Sequence, residues 1–113
     1  MGNEEKKVQE SRLRKVREIF NLALDVNLKT KHHAFFDLSP HVQDVRVDIH
    51  ENGWEQNKEK YIRMSAYYND MESTNSKPDL RFNEYSLQAI INVLRAALDG
   101  TLDFGKYQED WRW

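Results

Sequence analysis

The chain has 113 residues, 17 basic against 19 acidic side chains and no cysteine, which excludes disulfides, thiolate metal sites and cysteine nucleophiles. Its length fits one domain over residues 1–113, burying roughly 65% of the surface its unfolded chain would expose, so a second core is not expected. A small domain without disulfides suits a reducing compartment, and a cytoplasmic location is the expectation.

No apolar run approaches the roughly 20 residues of a membrane helix, and "MGNEEKKVQES" is charged where a signal peptide is apolar, so neither a membrane span nor export is expected. Charge is unevenly spread. Residues 1–31 carry eight Lys or Arg against five Asp or Glu, while residues 69–113 carry five against eight. A cluster able to neutralise phosphates therefore has one source, the first helix described next.

Leu13, Val16, Ile19, Phe20, Ala23 and Val26 recur at helical spacing in a segment free of Gly and Pro, which predicts a helix from about Glu5 to Asn27 with that set facing the core. Arg12, Arg14, Lys15, Arg17 and Glu18 fall on its other face, and Arg14 and Glu18, four apart, are placed to form an ion pair. A solvated face is the first reading of this stripe and phosphate binding the second.

From Lys31 the period becomes two. Ala34, Phe36 and Leu38 alternate with polar neighbours and Phe35 until Ser39-Pro40 breaks the run, predicting a strand over about 32–38. Val45, Val47 and Ile49 define a second strand over about 43–51, closed by Asn52-Gly53, both of which tolerate positive φ. Ile62, Met64, Ala66 and Tyr68 define a third over about 59–68. The stretch "NDMESTNSKPD", residues 69–79, reads as an exposed, mobile loop. Leu87, Ile90, Ile91, Leu94 and Leu98 then predict a helix over about 84–99, with Asn83 as its N-cap and Gly100 as its stop. The expected fold is α+β in the order α-β-β-β-α, a three-stranded antiparallel meander with both helices on its aliphatic face and an aromatic C-terminal tail over 101–113.

The pleat and the charges together select a register. Keeping the aliphatic residues on one side leaves few pairings, and those that avoid like charges set Asp37 opposite Arg46, His33 opposite His50, Asp48 opposite Arg63 and His50 opposite Tyr61. The outer face is then three rows: His33, His50 and Tyr61; Phe35, Asp48 and Arg63; Asp37, Arg46 and Ser65. Two histidines and a carboxylate are zinc-ligand types, but Asp48 is matched to Arg63, whose charge opposes a cation, so a ladder of solvated ion pairs is the preferred reading and no metal or other cofactor is expected. Phe35, Tyr61 and Tyr67 among Arg46 and Arg63 also make this a candidate binding face, since exposed aromatic and Arg side chains anchor interfaces.

The helix, three strands, helix order resembles that of the double-stranded RNA-binding domain family. RNA contact in that family is implied by a lysine-rich start of the second helix and a glycine-proline-histidine loop, whereas this chain has "NEYSLQ" and "ENGWEQNKEK" there. The likeness is one of topology over most of the chain, and no functional residue carries over.

"DFG", residues 103–105, lacks every accompanying kinase segment. Ser39, His41 and Asp37 in "DLSPH" are triad types crowded into a turn, without a glycine elbow or oxyanion hole. No phosphate loop, zinc-protease helix or dinucleotide fingerprint occurs, so an enzyme is not expected. The tail "TLDFGKYQEDWRW" has too many large apolar groups for a free end. It is expected either to fold back over the helix layer or sheet edge, or to reach a second chain through Tyr107, Trp111 and Trp113.

The leading expectation is a small non-catalytic protein-interaction module, binding another protein or a second copy of itself through Phe35, Arg46, Tyr61, Arg63 and Tyr67 and through Tyr107, Trp111 and Trp113. The alternative is a nucleic-acid-binding accessory protein using Arg12, Arg14, Lys15, Arg17 and the sheet aromatics.

Overall fold

A computed structural model describes residues 2–41, 43–53, 61–68 and 86–104. Its elements follow the order α1 (Gly2–Lys29), β1 (His33–Ser39), β2 (Asp44–His50), β3 (Tyr61–Tyr67) and α2 (Leu87–Asp99). The strands form one antiparallel sheet in the order β1-β2-β3, and the fold is α+β as the periodicities require. The expected loop over 69–79 lies outside the described residues.

The register is the one that charge pairing selects. His33 faces His50, Phe35 faces Asp48 and Asp37 faces Arg46 across β1 and β2; Arg46 faces Ser65, Asp48 faces Arg63 and His50 faces Tyr61 across β2 and β3. Val45, Val47, Ile49, Ile62, Met64 and Ala66 consequently share the buried side with Ala34. Against them pack Ile19, Ala23 and Val26 of α1 and Leu87, Ile90, Ile91 and Leu94 of α2. The helices lie against each other, α1 over β1 and α2 over β3, and Glu18 of α1 binds Arg95 of α2 rather than Arg14 as the four-residue spacing suggests.

Two assignments to the core are corrected. Phe20 is 49% exposed and Leu38 42%, because α1 turns Ile19, Ala23 and Val26 into the core and leaves Phe20 at the margin of its contact with β1. The cap of α2 also differs. Ser86, not Asn83, is the N-cap, its side chain accepting from the Ala89 N–H, and Gly100 closes the helix in the left-handed region at φ 76°, where glycine carries no Cβ penalty. After that stop Leu102 packs against the core and Phe104 is buried in it, so the first part of the tail folds back. Residues 105–113 lie outside the described residues, and with them Tyr107, Trp111 and Trp113.

The turn after β2 forms as its two residues demand, with Asn52 at φ 58° and Gly53 at φ 97°. The Asn52 N–H donates to His32 Nδ1 at 3.0 Å, and Phe104 lies against the other side of this junction with its ring 5.1 Å from that of His32. One corner of the molecule thus gathers the end of α1, the start of β1, the turn and the returning tail.

Candidate functional site

Alternation in the three strands sends the odd residues of β1 and β3 and the even residues of β2 to the outer face. There they form a continuous aromatic and charged surface. Phe35 meets His50 edge-on with ring centroids 5.4 Å apart, His50 stacks on Tyr61 at 5.1 Å and 22°, and the Arg63 guanidinium lies 5.5 Å from the Tyr61 ring centroid, within the range of a cation–π contact. Arg63 also grips Asp48, with Nε 3.2 Å from Oδ1 and the second fork arm 3.5 Å from Oδ2. This surface holds an open depression of about 600 Å³, whose lining includes Phe35, Phe36, Arg46, His50, Tyr61 and Arg63. The outer face is therefore shallowly concave.

The expected ladder of ion pairs is only partly formed. Asp48 and Arg63 pair, whereas Arg46, although opposite Asp37, makes no ion pair among the described residues and stands exposed beside Phe35, which is 50% exposed. Tyr67 is half-buried at the far end of β3. Ser39 and Asp37 lie on β1 and His41 is exposed in the following turn, so the three triad residue types are spread along a strand and a turn. Among the described residues no three His, Asp or Glu side chains are gathered as a metal set.

His50 has an environment that alternation alone does not disclose. Its Nδ1 is buried without a hydrogen-bond partner among the described residues. Burial pushes the imidazole below its ordinary pKa, and the Arg63 and His33 charges push the same way against the opposing pull of Asp48. The folded protein holds His50 neutral where the unfolded chain begins to protonate it, near pH 6.5. The unfolded state then binds more protons, so this contribution to stability is present above about pH 6.5 and is lost as pH falls toward the folded pKa. Urea midpoints at pH 7.5 and 5.5 are expected to fall further for the wild type than for His50→Phe. An equal fall in both would remove His50 as the cause.

β1 is an outer strand of the sheet, and its edge is guarded. The Asn27 side chain donates to the Ala34 carbonyl at 2.7 Å and accepts from the Ala34 N–H at 2.7 Å, imitating one residue of a fourth strand. Ala34 therefore turns its backbone groups outward, as Phe36 and Leu38 do by the two-residue period. Two copies joining these edges antiparallel about a two-fold axis meet an obstacle in each register open to Phe36 and Leu38. Phe36 against Phe36 needs the Ala34 groups that Asn27 holds. Phe36 against Leu38 sets Asp37 beside its own copy, and Leu38 against Leu38 puts Phe36 opposite Pro40, which has no N–H. Such devices keep edge strands from pairing.

The basic stripe of α1 keeps Arg14 and Arg17 exposed and Arg12 and Lys15 half-buried, on a different side of the molecule from the sheet face. No helix among the described residues is long and apolar enough to cross a membrane. The fold and surface together define a small two-layer α+β domain with an aromatic, arginine-bearing sheet face. The chain matches no family model, no curated protein and no solved structure.

Proposed function

We propose that this chain is a non-catalytic protein-binding module, cytoplasmic in keeping with its lack of cysteine, whose outer sheet face receives another protein. One observation carries the reading: a half-exposed Phe35 and an exposed Arg46 without an ion partner among the described residues stand together on an open depression whose floor is braced by the contacts of Asp48, His50, Tyr61 and Arg63. Aromatic and Arg side chains held on rigid strands make the large, centrally clustered contributions to interfaces. Phe35 offers apolar area and Arg46 a carboxylate receptor, so the partner presents an apolar side chain next to Asp or Glu. The guarded edge of β1 favours a different protein over a second copy joined strand to strand.

The test is affinity capture with the full chain and with Phe35→Ala/Arg46→Ala, both positions being exposed enough to leave the fold intact. A partner retained by the wild type is expected to bind the variant about thirty-fold more weakly, the effect of a hot spot near 2 kcal/mol, with circular dichroism unchanged. Equal retention removes this face from the reading. Binding of a single-stranded oligonucleotide that weakens steeply with salt replaces the protein partner with nucleic acid.

A further inference from the structure

The guard on β1 is partial. Asn27 holds both backbone groups of Ala34, but Phe36 and Leu38 also turn an N–H and a carbonyl outward, and among the described residues nothing binds these groups. β1 stands first in the sheet order, so the groups lie in one line along an open edge, a template for a further strand. The obstacles to a second copy come from that copy's own Asp37, Pro40 and occupied Ala34. A strand of another sequence, begun beyond Ala34, meets none of them.

The edge has two flanks that say what such a strand carries. On the helix side, α1 is tied to β1 by Asn27 and touches it again where the Phe20 ring meets that of Phe36 at 5.3 Å. Leu24 lies between these two points along the helix, one turn from Phe20. Phe20, Leu24 and Leu38 are 49%, 46% and 42% exposed, so apolar surface continues past the rim of the sheet, where the inward side chains of a further strand would lie. On the outer side Asp37 is exposed and makes no ion pair among the described residues.

In an antiparallel ladder Phe36 and Leu38 each exchange two hydrogen bonds with the residue opposite, and the residue between those two stands opposite Asp37. The first two side chains point to the helix side and the third to the outer face. The edge therefore fits an apolar, basic, apolar run, with no proline at its apolar positions. We infer that the β1 edge from Phe36 to Leu38 receives an extended segment of another protein as a fourth, antiparallel strand, its apolar side chains toward Phe20 and Leu24 and a Lys or Arg facing Asp37. Asn27 stands in for one residue of that strand, and the incoming segment continues the line. This is recognition by strand addition, and it does not rest on the reading of the outer face above.

The probe is the acetylated and amidated peptide Thr-Ile-Lys-Ile-Thr, titrated to millimolar concentration against the full chain while amide hydrogen exchange is followed residue by residue. In the free chain the Phe36 and Leu38 amides are expected to exchange fast and those of Phe35 and Asp37, bonded to β2, slowly. Peptide is expected to slow the first pair. Methylating both isoleucine nitrogens, which face β1, is expected to weaken binding roughly thirty-fold through the loss of two hydrogen bonds, whereas methylating the lysine nitrogen, which faces away, leaves it intact. Leu38→Pro deletes an outward N–H and no bond within the sheet, so it too is expected to weaken the peptide with circular dichroism unchanged. Should that variant fail to fold, the methylated peptides decide. Equal binding of the two methylated peptides overturns the inference, as does the absence of binding or binding undiminished by a folded Leu38→Pro. Phe36 and Leu38 amides already protected in the free chain also overturn it, assigning the edge to another segment of this chain or, where protection grows with concentration, to a second copy.

Discussion

Leu94→Ala is expected to lower the free energy of unfolding by about 2 to 5 kcal/mol. Leu94 is fully buried in α2, within the core that unites α2, the β2 and β3 aliphatic rows and the inner face of α1. Truncation removes the transfer energy of the lost methyl and methylene groups and leaves a cavity that two helices and a sheet cannot all close at once. Domains of this kind are stable by only about 5 to 15 kcal/mol, so the loss is a large part of the whole. A urea melt measures it. A midpoint close to that of the wild type would contradict the packing of α2 described here.

Asn27→Ala is expected to have the next largest effect, about 2 kcal/mol, for a different reason. It removes no core volume but strips the partners from both backbone groups of Ala34, each hydrogen bond being worth roughly 1 kcal/mol and more where the orphaned group stays away from water. Asn27→Asp keeps an acceptor for the Ala34 N–H and loses the donor to its carbonyl, so it is expected to recover part of the loss. A second consequence separates this variant from a merely destabilised one. With Ala34 released, the register pairing Phe36 with its own copy becomes available, and light scattering is expected to show association growing with concentration. A melt unchanged by Asn27→Ala would mean that water replaces the amide at no loss.

The residues made some of this architecture legible and concealed the rest for identifiable reasons. Faces were legible because a strand's side chains alternate, and register because Asp37, Arg46, Asp48 and Arg63 leave few pairings free of like charges. The extent of the cover was not. Helical spacing gives the phase of an apolar face but not its width, so Phe20 was grouped with Ile19 although Ile19 is fully buried and Phe20 only touches Phe36 at the sheet's margin and stays half exposed. Leu24 and Leu28, four and eight residues after Phe20, were the available sign that α1 is apolar through too wide an arc for one three-stranded sheet. The start of α2 slipped from Asn83 to Ser86 because both residue types cap helices and only the position of the first turn chooses between them. Asn27 gave no sign at all, since a polar residue near a helix end reads as solvent-facing until the edge strand beside it is known. On the sheet face, Phe35, Arg46, Tyr61 and Arg63 were placed together as expected, whereas the buried Nδ1 of His50 depends on how closely Phe35 and Tyr61 close on it.

The clasp between Asn27 and Ala34 spans only seven residues, whereas the contact of Glu18 with Arg95 spans 77. Loop-closure entropy rises with that separation, and short-range contacts form first. The expected order of folding therefore has a direction: the end of α1 hooks β1, β2 and β3 add in turn as neighbours, and the seating of α2 across the assembled sheet comes late.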